Sequence, residues 1–268
     1  MLRETQALAQ TPDYPHAIPS SAGGEAIRAA PAPHTPRQNR ILAALPPKDY
    51  GRLLPLLELV PLPRGWVVHG PGARQDHVYF PIAGIVSRFQ VMLDGARTEF
   101  CVTGSEGVIG IASFLGGESA ASAAVVLAAG HAYRLRADLL RAEMERGGLL
   151  PHLLLRYTQA LMTQTGQIAA CNRHHSLEQQ VCRWILSSLD RSPSNELAMT
   201  QELIAEMLGV RREGVTQAAG RLQEAGLIKY KRGHIAVLDR TRLEAEACEC
   251  YGAVKREYER LLPGWRRA

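Results

Sequence analysis

The sequence predicts an α+β chain: an antiparallel β-roll, then one long helix, then a small helical domain closed by a hairpin. Three observations predict it. Between Val60 and Arg136, short runs rich in Val, Ile, Tyr and Phe are cut by glycines at turn-like spacing, the texture of a compact barrel or roll. From residue 149 to His175, apolar residues recur at alternate steps of four and three. From Ser176 to Asp239 the pattern reads helix, helix, helix, hairpin.

The 268 residues are 46% hydrophobic, enough for one large or two modest domains with a real core. A formal charge of +5 and a pI of about 9.1 fit a polyanionic partner without requiring one. The N-terminal MLRETQALAQ has no signal-peptide core, and no apolar run reaches membrane-spanning length, so a soluble cytoplasmic protein is expected. The five cysteines (Cys101, Cys171, Cys182, Cys248, Cys250) include no CxxC pair and read as free thiols of a reducing compartment. Cys248-Glu249-Cys250 is a C-x-C pair with no second pair to complete a site. No metal and no other cofactor is expected. No nucleophile–base pair or phosphate-binding glycine loop is evident, so the chain does not read as an enzyme.

Taken in order, residues 1–36 are rich in Pro, Ala and Ser and read as a disordered tail. RQNRILAAL and PKDYGRLLPLLELV are short helices separated by Pro46-Pro47. The roll, taken as residues 37–148, is built from GWVVHGPG, HVYFPIAGIVSRFQVML, RTEFCVTG, GVIGIASFLGG, SAAVVLAAG and HAYRL. Asp94-Gly95 suits the positive φ of a hairpin turn. RADLLRAEMERGG is a helix stopped by Gly147-Gly148.

Residues 149–175 form the long helix. Leu150, Leu154, Tyr157, Leu161, Gln164, Ile168 and Cys171 take the a/d positions of a narrow coiled-coil seam, which predicts a homodimer. Cys171 reads as a small seam residue, with redox contact between chains as the alternative.

Residues 176–245 form the next domain, with a C-terminal extension at 246–268. LEQQVCRWILSSLD is amphipathic through Val181, Ile185 and Leu189. MTQELIAEMLGV starts at a good N-cap, Thr200, and ends at Gly209, where two helices need a tight turn. RREGVTQAAGRLQEAGL comes after it, and IKYKRGHIAVLD makes a two-stranded wing. This is the plan of a winged helix-turn-helix. Long polar residues cluster at the N-terminal end of its second helix, which is the end that meets base edges. Arg212, Glu213 and Gln217 suit guanine, cytosine and adenine respectively. Thr200, Arg211, Thr216, Lys229, Lys231 and Arg232 suit the phosphates of double-stranded DNA.

TQELIAEMLGVRREGVTQAAGRLQEAGLI resembles the helix-turn-helix signature of the Crp/Fnr superfamily of bacterial transcription regulators, and the likeness extends over residues 40–240. GARQDHVYFPIAGIVSRF and GSEGVIGIASFLGG resemble parts of that family's cyclic-nucleotide-binding domain. The resemblance implies a dimeric regulator of a two-fold symmetric operator. RNA polymerase and an unidentified small-molecule effector are the further partners it admits. Its base-reading positions fall on Arg212 and Glu213. Gln217 stands where relatives often carry arginine, and Gly214 where they often carry serine or threonine. In cyclic-nucleotide binders of this fold a Gly-Glu pair holds the ribose and an Arg-Ser pair neutralises the phosphate. Here Gly110 precedes Ile111, and the arginine position falls near Ala121, beside Ser122. A buried phosphate without a basic partner is costly, so the pocket reads as degenerate for cyclic AMP. The rival reading is a cyclic-nucleotide-type module of a signalling assembly that acts through protein partners.

Overall fold

The computed structural model describes residues 34–264. Most of the predicted tail, residues 1–33, lies outside the described residues. His34 and Thr35 already sit on the roll: the Tyr133 hydroxyl donates to the His34 carbonyl, and Thr35 caps a 3-10 turn at Pro36–Gln38. Buried Asn39 anchors the first helix. Its carbonyl oxygen accepts from the Ile41 and Leu42 amides while its Nδ2 donates to the carbonyls of Pro81 and Gly107. One side chain thus caps helix α1 (Arg40–Ala43) and ties it to the roll. Helix α2 (Pro47–Leu53) starts on its own proline.

The roll contains β1 (Glu58–Leu62), β2 (Val67–His69), β3 (His77–Val91), β4 (Arg97–Thr103), the short helix α3 (Ala112–Leu115) and β5 (Ala123–Arg136). Its antiparallel strands run in the order β1-β5-β3-β4, with β2 also paired to β5. The predicted hairpin turn is present, with Gly95 at φ +85 and Val91 opposite Arg97.

Two sequence expectations fail in the roll. SAAVVLAAG and HAYRL are one strand. Gly130 lies inside β5 where the strand crosses Gly84 of β3, and a Cβ on Gly130 would stand 2.1 Å from the Ala83 carbonyl oxygen. The glycines allow two backbones to cross closely rather than ending the strands. GVIGIASFLGG is not a strand beyond Ile109, which bridges Tyr79. Gly110 turns away at φ +96, and Ser113 donates to its carbonyl to start α3.

Helix α4 (Ala137–Glu145) leads into α5 (Leu149–His174), then α6 (Leu177–Leu189). The C-terminal half adds β6 (Glu196–Leu197), α7 (Gln201–Leu208), α8 (Arg212–Glu224), β7 (Ile228–Lys231) and β8 (His234–Val237). Helices α9 (Arg240–Glu246) and α10 (Glu249–Leu261) end the described chain. Helix α6 is not a surface helix with one apolar stripe. Gln180, Arg183 and Ser188 are buried along with Val181, Trp184 and Ile185, because α6 lies between the helix-turn-helix, α10 and the roll residues Ile85, Val102 and Leu127.

The largest correction concerns the seam. Leu150, Leu154, Tyr157, Leu161, Gln164, Ile168 and Cys171 are all buried within a single chain. Tyr157 shares a hydrogen bond of 2.8 Å with Thr103 on β4. Gln164 accepts one of 2.9 Å from the hydroxyl of Tyr258 on α10. The extension therefore folds back over α5, and Tyr258, Leu261 and Leu262 join the core of Ile41, Leu42, Phe80 and Leu154. The periodicity located a true buried stripe but matched it to the wrong partner.

Candidate nucleic-acid interface

Thr200 accepts a hydrogen bond from the Leu203 amide and so caps α7. Helix α7 ends at Gly209, whose φ of +67 turns the chain into α8. Val215, Ala218, Ala219 and Leu222 bury one face of α8 against α6 and α7. That burial leaves the other face outward. Arg211, Arg212, Glu213, Thr216 and Gln217 are all exposed around its first turns. Arg211 is the N-cap residue and provides no side-chain cap, because a guanidinium has no acceptor for the first helical amides.

The outward side chains are only lightly held. Arg212 lies 3.6 Å from Glu202, both well exposed, a geometry worth little in water. The Thr216 hydroxyl donates to Gln201 at 2.7 Å, which joins the two helices of the motif. Gly214 has a local packing reason: a Cβ there would stand 2.7 Å from a terminal methyl carbon of Leu177. In the wing, Ile235 is buried while Lys229, Lys231 and Arg232 are exposed, and Arg232 holds φ +49 at the hairpin tip. The helix end and the wing thus expose every side chain that the sequence assigned to DNA, with Thr200 exposed beside them at the start of α7.

A junction that the sequence did not reveal presses this motif against the roll. Arg97 on β4 pairs with Glu206 on α7 at 2.8 Å, and a Cβ on Gly209 would meet the Thr98 hydroxyl at 2.6 Å. Next to it, Ser87 donates to buried Glu99 at 2.6 Å and contacts Met207 of α7. Burial pushes the Glu99 carboxyl up to about 7, against the opposing pull of the Ser87 hydroxyl and the Arg183 and Arg191 guanidiniums. Farther along, Arg191 donates to Glu106 at 2.7 Å, with both side chains 2% exposed. The Arg97–Glu206 and Glu106–Arg191 pairs leave no local motif, because their members lie far apart in the chain.

In the roll, Gly110 borders a cleft of about 140 Å³ shared with His69, Gln75 and Tyr79. A Cβ on Gly110 would stand 2.7 Å from the His77 carbonyl oxygen, so glycine is required by the backbone. Ile111 packs on the core beneath α5. Ala121 is exposed and Ser122 is buried beside His69. Burial pushes His69 down to about 4, which leaves its imidazole neutral. The four residues picked from sequence place no carboxylate or cation here. Sequence reasoning missed Arg88, an interior cation on β3 whose Nε donates to Cys101 Sγ at 2.9 Å.

The cyclic nucleotide-binding domain family matches residues 59–146, and the Crp-like helix-turn-helix domain family matches residues 179–246. A CRP-like cAMP-activated global transcriptional regulator of Mycobacterium tuberculosis is 24% identical over 214 residues, 77% of this chain and 96% of that protein. Among solved structures, FixK2 of Bradyrhizobium japonicum superposes with a TM-score of 0.63 at 18% identity, over 72% of this chain and 98% of its own. A CRP-family transcriptional regulator of Thermus thermophilus gives 0.59 at 19% identity, over 70% and 96%. Among the described residues no helix is long and apolar enough to cross a membrane. With its roll, long helix and winged helix-turn-helix in this order, the chain belongs to the Crp/Fnr family and is a transcription regulator of that type.

Proposed function

We propose that the protein binds a palindromic DNA operator as a homodimer, without needing cyclic AMP. The observation that carries the reading is the outward first turns of α8, where Arg212, Glu213 and Gln217 project from a helix whose opposite face is fully packed. Arg212 donates to guanine O6 and N7, Glu213 accepts from cytosine N4, and Gln217 pairs with adenine. Arg211, Thr216, Lys229, Lys231, Arg232 and the Thr200 helix start hold phosphates and set register. Selection of binding sites from random duplex DNA tests this assignment. It should return two-fold symmetric sites whose half-sites lie about one helical turn apart. Gln217→Arg should change one selected base pair per half-site, and an unaltered selection rules the assignment out.

The dimer contact uses the face of α5 that the core leaves free. Leu155, Met162 and Ala169 are exposed at intervals of seven, with Gly166 between the last two. Leu155 is 52% and Met162 71% exposed, an unusual placement for large apolar side chains on one helix stripe. Leu155→Glu with Met162→Glu should yield monomers in sedimentation velocity, and a persisting dimer would refute this face. Independence from cyclic AMP is supported by Ile111 and Ala121, which supply neither a ribose acceptor nor a phosphate cation. Titration calorimetry should show no stoichiometric cyclic AMP binding.

A further inference from the structure

The C-x-C pair that looked incomplete in sequence meets two more ligands in the fold. Cys171 lies in the last turn of α5 (Leu149–His174), and His175 is the C-cap residue, whose amide donates to the Cys171 carbonyl. Cys248 is the N-cap residue of α10, and Cys250 lies in its first turn. The Sγ atoms of Cys171, Cys248 and Cys250 and a ring nitrogen of His175 all lie within 4.8 Å of one another. Cys171 Sγ is 3.5 Å from Cys248 Sγ, and Cys250 Sγ is 3.5 Å from His175 Nδ1.

We propose that Cys171, His175, Cys248 and Cys250 form a Cys3His site for one thiophilic divalent cation of the zinc class, which fastens the start of α10 to the end of α5. A tetrahedral zinc with ordinary Zn–S and Zn–N bonds sets its ligand atoms about 3.5–3.8 Å apart, and the Cys171–Cys248 and Cys250–His175 separations of 3.5 Å already lie at the edge of that range. The four atoms enclose space for one ion and not for a cluster of several irons and sulfides. The three thiols are buried and form a small group apart from the main apolar cores.

The surroundings complete the arrangement. With Nδ1 facing Cys250, the other ring nitrogen of His175 lies 3.1 Å from Glu249. A carboxylate at that position fixes the tautomer and orientation of a ligating imidazole. Arg183 donates to Cys171 Sγ at 3.2 Å, which partly offsets the single negative charge of a zinc with three thiolates and one neutral imidazole. Binding displaces one proton from each of the three thiols to solvent and changes no oxidation state. A Cys171–Cys248 disulfide would use only two of the four groups, and its sulfurs would have to close to about 2.05 Å.

Cobalt(II) and zinc titrations of the reduced full chain, with metal content measured by mass spectrometry, test the site. One ion per chain is expected, with the intense visible bands of tetrahedral cobalt thiolate, abolished by one equivalent of zinc. Cys248→Ser and Cys250→Ser should each lower affinity more than tenfold, while Cys182→Ser, at a buried thiol outside the group, should leave it unchanged. His175→Ala should alter the cobalt bands. Should the serine variants fail to fold, wild-type protein still decides: its melting temperature must rise with cobalt up to one equivalent and then level off. Absence of stoichiometric metal from the reduced chain overturns the site. So do iron with acid-labile sulfide, or a Cys171–Cys248 disulfide in freshly isolated protein.

Discussion

Helices α5 and α8 are both amphipathic, yet their exposed faces have different origins. Helix α8 buries Val215, Ala219 and Leu222 against neighbours adjacent in sequence, and its polar face is left over by default. Helix α5 is covered on one side by the roll and on another by α10, whose Tyr258 bonds Gln164 from 94 positions away. Periodicity fixes the phase of a buried stripe in both cases. Only where the partner is local does it also fix what the stripe packs against.

The sharpest way to separate the two helices is to remove the distant partner. Tyr258→Ala should cost about 3–5 kcal/mol of stability, a fall in melting temperature on the order of 10 °C, because it opens a cavity against α5. The DNA sequence selected by the surviving folded protein should not change. A variant that melted like wild type would show that α10 is dispensable for the α5 core.

Next in size is the junction between roll and motif. The folded Glu99 carboxyl titrates near 7, above its ordinary value of 4.5. The folded state therefore holds this proton more tightly than the unfolded chain. Its contribution is fully present below about pH 4.5 and is lost as pH rises through 7. Glu99→Gln should therefore gain stability relative to wild type at pH 8, on the order of 3 kcal/mol, with the gap closing toward pH 5. Arg183 and Arg191 face this carboxyl and Cys101 lies near it, so the comparison is made in the same background. Urea unfolding at the two pH values gives the answer, and a pH-independent gap contradicts the burial argument.

On α8 the expected effects leave stability alone. Arg212→Ala should lower operator affinity by about 1–3 kcal/mol and relax the preference at one base pair, with melting unchanged within about 0.5 kcal/mol. The smallest effect belongs to the wing. Lys231→Ala should weaken all sequences alike and reduce the salt slope of binding by about 0.9. If Lys231→Ala changed the selected sequence, the wing would be reading bases, and the division of labour between helix and wing would fail.

The roll, the long helix and the winged motif were legible because each rests on local signals. These are turn glycines such as Gly95 and Gly209, the N-cap Thr200, and alternation within β3 and β4. The exposure of the α8 side chains was legible because it is set by the phase of the buried face. The seam partner was not legible, since nothing in Leu150–Cys171 records that residues 249–262 will cover it. The Glu106–Arg191 pair and the Cys171–His175–Cys248–Cys250 group were hidden for the same reason. Their two halves lie 70 or more positions apart, and each looks ordinary in its own segment. Gly110 and Gly130 were read as breaks or pocket residues, whereas their role is to let two backbones approach.

The return of α10 also orders events in time. Arg40 near the start of the described chain donates to the Gly264 carbonyl at its end, and Leu261 and Leu262 seal the core containing Ile41 and Leu42. Residues 249–262 leave the ribosome after everything they cover. Until then Leu154, Tyr157 and Leu161 have no final wall, and the roll emerges as a nascent domain with an open side. Its completion waits for α10, and a chain stalled before residue 249 should be cut by protease at α5 far faster than one that carries residues 249–262.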